Sequence, residues 1–227
     1  MSESPFVLVQ RPPTFDFMDE LLSRNFPVLT THHTSSAPLL VSLSGHASSI
    51  SAVLSGKRVG ILGLGSIGSF IAKRLEPFGC IISYNSTSQK QSITYRYYPD
   101  AVSLAANNDV IVLCCDLNDQ TRHIVNREVM ESLGKNGVII NVGRGGLIDE
   151  KEMVKCLVEG VIGGAGLDVF EKEPGVPEEL FGLDNVVLSP HAAMATPGSL
   201  DNIAQLALAN LKAFFSNQPL ISPVRLD

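Results

Sequence analysis

Residues 58–68, read as Arg58-Val59-Gly60-Ile61-Leu62-Gly63-Leu64-Gly65-Ser66-Ile67-Gly68, decide the fold of this chain. The first half is a short apolar run, which predicts a buried strand. The second half is a G-x-G-x-x-G pattern, which joins a strand to a helix and lets the backbone approach a pyrophosphate. From 66 to 78 apolar side chains recur at helical spacing. The stretch therefore predicts the first β-α unit of a dinucleotide-binding domain.

Each glycine of the pattern has its own physical role. Gly63 permits a tight turn, Gly65 lets a phosphate approach because it has no Cβ, and Gly68 allows close packing of helix on strand. The helix N-terminus adds free N–H groups and a partial positive charge. Glycine-rich turns of this kind also occur for packing alone, so the rest of the chain must support the interpretation.

The rest of the chain alternates short apolar runs with amphipathic segments. Apolar runs occur at 80–84, 109–115, 137–142, 164–169 and 185–189, and helical periodicity occurs at 150–159 and 199–215. This alternation predicts an α/β fold with a Rossmann-type, doubly wound parallel sheet. Upstream, the pattern predicts a strand at 6–9, a helix at 15–22 and a further apolar run at 26–29.

Composition argues against several partners. The 227 residues carry a net charge of −6, which disfavours nucleic acid because phosphate binding needs a basic patch. No apolar run reaches the roughly 18 residues of a spanning helix, so we expect no membrane partner. With no targeting signal in the sequence, the expected location is cytoplasmic. The cysteines contain no Cys-x-x-Cys pair, so we expect small buried thiols and no metal site at Cys80, Cys114, Cys115 and Cys156.

The loop after the second strand bears on cofactor choice. An acidic residue there would accept the ribose 2′-OH of NAD, but none occurs between Tyr84 and Lys90. The hydroxyls of Ser86, Thr87 and Ser88 could donate to a 2′-phosphate, and the Lys90 ammonium could pair with it. We therefore expect NADP to be preferred as NADPH, with NAD as a second option. The alternative is an ordinary polar loop.

Three candidate catalytic residues, Arg144, Glu173 and His191, each follow one of three successive predicted strands. The carboxyl ends of parallel strands meet at one sheet edge, where ligands bind. Arg144 can hold a substrate carboxylate and polarise a keto oxygen. His191, as imidazolium, can donate a proton while a hydride arrives from the cofactor, and Glu173 can orient the ring and favour its charged form. Each residue alone could be an ordinary surface group, but together they favour reduction of a 2-keto acid.

The chain resembles the D-isomer-specific 2-hydroxyacid dehydrogenases, and among them the plant glyoxylate/hydroxypyruvate reductases with their hydroxyphenylpyruvate-reductase branch. The phrases that carry this resemblance are 59–68, 141–145, 166–174 and 189–191, and it extends over 55–224, with a looser match over 1–30. It implies NADPH-dependent reduction of hydroxypyruvate and glyoxylate to D-glycerate and glycolate. In that reaction His191 would be the proton donor, Glu173 its partner, and Arg144 the substrate-carboxylate residue.

The same resemblance implies a set of cofactor contacts. Those at the pyrophosphate are Gly63, Leu64, Gly65, Ser66, Ile67 and Gly68. Those at the 2′-phosphate are Ser86, Thr87 and Ser88, and those at the nicotinamide are Val142, Gly143 and Arg144, with Asp168 at the carboxamide. The family's usual Arg in the 2′-phosphate loop is Thr87 here, which weakens the preference for NADPH.

The resemblance also implies a flavodoxin-like substrate domain that the N-terminal region is too short to supply. At roughly 30 residues per β-α-β unit, residues 1–54 allow about two strands instead of about five. We expect a truncated substrate domain at 1–54, an NAD(P)-binding Rossmann domain at 55–192, and a C-terminal helix at 193–227 that returns to the substrate domain. An internal deletion near His46 would remove a substrate loop and the arm through which the family forms homodimers. Two hypotheses follow, an active reductase and a catalytically impaired cofactor-binding isoform or regulatory module.

Overall fold

A sheet of seven parallel strands dominates the part of the chain that the computed structural model describes, residues 7–9, 28–30 and 54–223. Two N-terminal strands, β1 (Val7–Val9) and β2 (Val28–Thr30), pair in parallel as a separate two-stranded sheet. The strands of the large sheet are β3 (Arg58–Leu62), β4 (Ile81–Asn85), β5 (Arg96–Tyr97), β6 (Val110–Leu113), β7 (Val138–Asn141), β8 (Gly164–Leu167) and β9 (Val186–Leu188). The α-helices are α1 (Ser66–Leu75), α2 (Ala101–Ala106), α3 (Arg127–Leu133), α4 (Glu150–Val158) and α5 (Pro197–Phe215).

The strand order places a crevice at the centre of the sheet. Across the sheet the order is β5-β4-β3-β6-β7-β8-β9. The chain therefore runs outward from β3 in one direction and then returns to continue from β6 in the other. Ligands of such sheets bind at this switch point, outside the carboxyl ends of the strands. The predicted α/β class with a Rossmann-type parallel sheet is confirmed.

Helices cover both faces of the sheet. One buried cluster includes Val59 and Ile61 of β3 together with Ala72 of α1. The other includes Leu104 of α2 and Met130 of α3, with residues of α4. Strands buried on both faces read as near-continuous apolar runs, which is why the sequence pattern located them. Burying one such side chain contributes about 1.5–3 kcal/mol to stability.

The structure differs from the sequence prediction in several short elements. The strand β5 and the helices α2 and α3 were not predicted, because two to seven residues are too few for a periodic pattern. The apolar run 109–115 contains only a four-residue strand, so its cysteines follow the strand instead of lying in it. The predicted helix at 15–22 lies outside the described residues.

The prediction of four buried cysteines is right only for Cys156. The thiols of Cys80, Cys114 and Cys115 are half-buried, and all four cysteines are free. Burial raises the pKa of Cys114 to about 12 and that of Cys115 to about 11. These thiols are therefore protonated at neutral pH and are poor nucleophiles.

The C-terminal helix α5 exposes an apolar surface. Its exposed large apolar residues are Ile203, Leu206, Leu208, Leu211, Phe214 and Phe215.

Among the helices that the structure describes, none combines the length and apolar character needed to cross a membrane.

Substituting two glycines of the turn should show which of them the packing of the turn requires. A Cβ on Gly68 would lie 2.2 Å from the Gly63 carbonyl oxygen, whereas a Cβ on Gly65 would meet nothing within 4 Å. We expect Gly68→Ala to lower the free energy of unfolding by about 1–3 kcal/mol. The matched control Gly65→Ala should lower it by less than about 1 kcal/mol. Urea unfolding followed by circular dichroism measures both, and equal losses would contradict this account of the turn.

Candidate active site

The turn between β3 and α1 lies against the backbone that follows β6. Gly63 has a φ of 98°, and a Cβ there would lie 2.4 Å from the Cys115 backbone nitrogen. Its N–H donates to the Asn85 carbonyl at 3.0 Å. Only glycine satisfies both the left-handed backbone and this close approach. The turn is therefore held at the centre of the crevice, between β3 and β6.

The N-terminus of α1 is suited to bind an anion. Gly65 is its N-cap and supplies no side-chain cap. The helices α2 to α5, by contrast, are each capped by a side chain that accepts a backbone N–H, those of Asp100, Asn126, Asp149 and Thr196. Since no acidic residue lies in the first turn of α1 and Gly65 faces open space, a pyrophosphate fits there.

The loop after β4 folds back onto this turn. The Lys90 backbone N–H donates to the buried Tyr84 hydroxyl at 2.8 Å. The Lys90 ammonium donates to the Leu64 carbonyl at 2.6 Å. This pairing places a cation beside the glycine turn, while Thr87 and Ser88 in the same loop are exposed. The loop thus offers a positive charge and hydroxyls where the sequence predicted a 2′-phosphate contact.

Two of the predicted catalytic side chains are in direct contact. The Glu173 Oε2 atom lies 2.9 Å from the His191 Nδ1 atom, and Glu173 Oε1 accepts the Phe170 backbone N–H at 3.1 Å. The carboxylate is thus fixed at one oxygen and oriented toward the ring at the other. Because Nδ1 is engaged, Nε2 is the ring nitrogen that can serve a substrate.

The loop that carries His191 is anchored by Asp168. His191 has a left-handed φ of 53°, and its N–H donates to the Asp168 carbonyl at 2.7 Å. The Asp168 carboxylate, only 5% exposed, accepts the backbone N–H groups of Ala192 and Ala193 at 2.8 and 3.0 Å, and also the Ser189 hydroxyl. Asp168 therefore positions the histidine loop, a role that the sequence prediction of a carboxamide contact did not include.

The third predicted catalytic residue, Arg144, points back along its own loop. Its guanidinium is exposed and donates to the Gly143 carbonyl at 2.7 Å. No hydrogen bond or ion pair joins it to Glu173 or His191 within the described part of the chain. The buried Asn141 holds the loop, since its side chain accepts the Gly143 N–H and donates to the Arg144 carbonyl, both at 3.0 Å. Sequence reasoning did not identify Asn141, because only its contacts reveal its role.

Within residues 7–9, 28–30 and 54–223, no group of three or more His, Cys, Asp or Glu side chains could hold a metal ion.

A known family matches the segment that contains the seven-stranded sheet. The family model for the D-isomer specific 2-hydroxyacid dehydrogenase NAD binding domain matches residues 30–193. This segment contains β3 to β9, the glycine turn and the Glu173–His191 pair.

Curated proteins of similar sequence include two plant reductases. Glyoxylate/hydroxypyruvate reductase HPR3 of Arabidopsis thaliana is 82% identical over 174 residues, 77% of this chain and 54% of that protein. Hydroxyphenylpyruvate reductase of Plectranthus scutellarioides is 55% identical over 170 residues, 75% of this chain and 54% of that protein. The chain thus spans about half the length of these curated relatives.

Among solved structures, an NADPH-dependent glyoxylate/hydroxypyruvate reductase from Sinorhizobium meliloti, in complex with NADP and malonate, is similar. It has a TM-score of 0.72 and 43% identity, with 74% of this chain and 53% of that chain covered.

Removing the Asp168 carboxylate tests its role as an anchor. We expect Asp168→Ala to lower the free energy of unfolding by about 1–3 kcal/mol, because two backbone N–H groups and a hydroxyl lose their acceptor. Amide hydrogen exchange at Ala192 and Ala193 should accelerate. The matched control is Asp184→Ala, an exposed acid before β9, which should change stability by less than about 0.5 kcal/mol. Unchanged exchange at Ala192 and Ala193 in Asp168→Ala would refute the anchor.

Proposed function

This chain belongs to the D-isomer specific 2-hydroxyacid dehydrogenase family, and we propose that it reduces hydroxypyruvate and glyoxylate to D-glycerate and glycolate with NADPH. The observation that carries the proposal is the 2.9 Å contact between Glu173 and His191. A proton donor oriented by a carboxylate suits carbonyl reduction, which needs a proton on the oxygen as hydride reaches the carbon. The uncapped glycine turn at the same sheet edge supports a dinucleotide as the partner of this pair.

Arg144, His191 and Glu173 would each have a separate role in the reaction. When bound, the nicotinamide supplies the hydride. The Arg144 guanidinium leaves the Gly143 carbonyl to hold the substrate carboxylate, and its charge polarises the keto group. The His191 Nε2 atom donates its proton to the keto oxygen. Glu173 stabilises the imidazolium before transfer and keeps the ring in position throughout.

For the cofactor we propose NADPH, with NADH as a weaker substitute. The N-terminus of α1 would hold the pyrophosphate through residues 63–68, and Val142, Gly143 and Arg144 would border the nicotinamide with Asp168 near the carboxamide. The Lys90 ammonium beside the glycine turn, with Ser86, Thr87 and Ser88 in the same loop, supports a 2′-phosphate contact. The absence of an acid from this loop supports the same choice, because no carboxylate repels the phosphate.

A second candidate is a cofactor-binding isoform or regulatory module with impaired catalysis. The observation that favours it is length, since the chain spans about half of its curated relatives. If part of the substrate domain is missing, the cleft lacks a wall, and a displacement of about 1 Å can cost about 100-fold in rate. Cofactor binding depends on β3, α1 and β4 and would persist.

The chain divides into three segments in this proposal. We propose a shortened substrate domain at 1–54, a cofactor domain at 55–192 and a returning helix at 193–227. The exposed apolar residues of α5 support the last assignment, because such a surface is stabilised by a packing partner. We propose a homodimer, the assembly that the family resemblance suggests, with a cytoplasmic location.

Hydroxypyruvate-dependent oxidation of NADPH by the purified chain distinguishes the two candidates. For an active reductase we expect turnover that falls by about 10²–10⁴-fold in His191→Ala, because the proton donor is lost. NADPH fluorescence should show unchanged cofactor binding in the variant. Absence of turnover in a folded chain that binds NADPH would favour the isoform, and turnover that persists in His191→Ala would contradict the assigned donor.

The Lys90 ammonium provides a test of cofactor preference. We expect Lys90→Met to weaken NADPH binding by about 1.5–3 kcal/mol, the value of a hydrogen bond to a charged group, with little effect on NADH. The matched control is Lys57→Met, which removes the same charge just before β3, at the opposite edge of the sheet. Fluorescence titration measures both affinities. An equal loss for NADPH and NADH would place Lys90 away from the 2′-phosphate.

A further inference from the structure

A second cluster of charged side chains, formed by Arg122, His123 and Glu171, lies outside the Glu173–His191 pair. At its centre is Glu171, whose side chain is only 18% exposed. Its Oε1 atom accepts an N–H of the Arg122 guanidinium at 2.8 Å and lies 2.9 Å from the His123 Nε2 atom. One oxygen of the Glu171 carboxylate thus contacts both the Arg122 guanidinium and the His123 imidazole, which lie in the loop that follows β6.

This cluster joins three loops at the carboxyl edge of the sheet. The His123 backbone N–H donates to the Gly146 carbonyl at 2.8 Å, which ties the loop after β6 to the loop after β7. The Glu171 backbone N–H donates to Glu150 Oε2 at 3.0 Å, which ties the loop after β8 to the start of α4. Burial raises the pKa of Glu150, and the neighbouring Glu171 charge adds to that rise. The hydrogen bond from the Glu171 N–H and the Lys172 cation oppose this rise in the Glu150 pKa.

The backbone at Phe170, directly before Glu171, connects this arrangement to the acid-base pair. Gly145 packs so closely on Phe170 that a Cβ would lie 1.9 Å from the Phe170 carbonyl carbon. The Phe170 N–H in turn donates to Glu173 Oε1. The peptide at Phe170 is therefore held on one side by the Arg144 loop and on the other by the Glu173 carboxylate, with Glu171 fixing the next residue.

We propose that Glu171 is a positioning residue, which through Arg122 and His123 fixes the backbone that presents Glu173 to His191. Its effect is to keep the Glu173 carboxylate on Nδ1 and thereby hold the imidazole in the Nδ1–H tautomer with Nε2 free. Only its catalytic consequence rests on the proposed function, because the tautomer is a property of the chain without substrate.

Nitrogen-15 NMR of the histidine rings tests this proposal directly. At alkaline pH, where a free imidazole is neutral, the ring nitrogen shifts report which nitrogen carries the proton. We expect His191 to be mainly the Nδ1–H tautomer in the unaltered chain and mainly Nε2–H in Glu171→Ala. The spectrum of His191→Ala assigns the resonance.

The matched control is Glu159→Ala. Glu159 also accepts an arginine N–H at 2.8 Å, from Arg127, but it follows α4 at the opposite edge of the sheet. Its loss should leave the His191 tautomer unchanged. Arg122→Gln keeps the Glu171 carboxylate and should shift the tautomer in the same direction as Glu171→Ala, so the test holds even if one variant fails to fold.

Two further outcomes separate this proposal from the proposed function. If His191 keeps its Nδ1–H tautomer in Glu171→Ala, or in Arg122→Gln where Glu171→Ala does not fold, the positioning role is overturned while the Glu173–His191 pair stands. If His191 lacks the Nδ1–H tautomer in the unaltered chain, the pair itself is wrong and both proposals fail. In an active chain, Glu171→Ala should reduce kcat far more than it changes the KM for hydroxypyruvate.

Discussion

The close approach of Gly63 to the backbone after β6 is the constraint on which the rest of the site depends. It brings the first turn of the domain against Cys115, at the point where the order of strands reverses. A side chain at this position would push the turn out of the crevice and carry the start of α1 with it. Without a Cβ at Gly63, the N-terminus of α1 lies at the carboxyl edge of the sheet, where the loops after β7, β8 and β9 also lie.

The sheet and the glycine turn could be predicted from the sequence, because a strand buried on both faces is recorded as a local apolar run. The short helices α2 and α3 could not, since they have too few turns for a period to show. Arg144, Glu173 and His191 were found because each follows a strand in a parallel sheet. The roles of Glu171 and Asp168 as anchors were not, because their hydrogen bonds join segments that are far apart in sequence. Asn141 was not found either, because the sequence of its loop does not show which way its side chain points.

The side chains of the site differ in how far they already make the contacts that their proposed roles require. Glu173 and His191 already lie at hydrogen-bond distance, and the α1 N-terminus is free of a side-chain cap. The Arg144 guanidinium, by contrast, donates to the Gly143 carbonyl of its own loop. The Glu173–His191 pair and the uncapped helix N-terminus are thus already arranged at the sheet edge, whereas the role proposed for Arg144 requires its guanidinium to move.

The state of the thiols has a practical consequence for studying the motions of this protein. All four cysteines have their pKa raised, chiefly by burial, so little thiolate is present at neutral pH. A maleimide dye will therefore react much faster with a single cysteine introduced on an exposed surface than with any native thiol. Fluorescent reporters can then be attached to the otherwise unaltered sequence, without first removing Cys114 and Cys115, which lie beside the glycine turn.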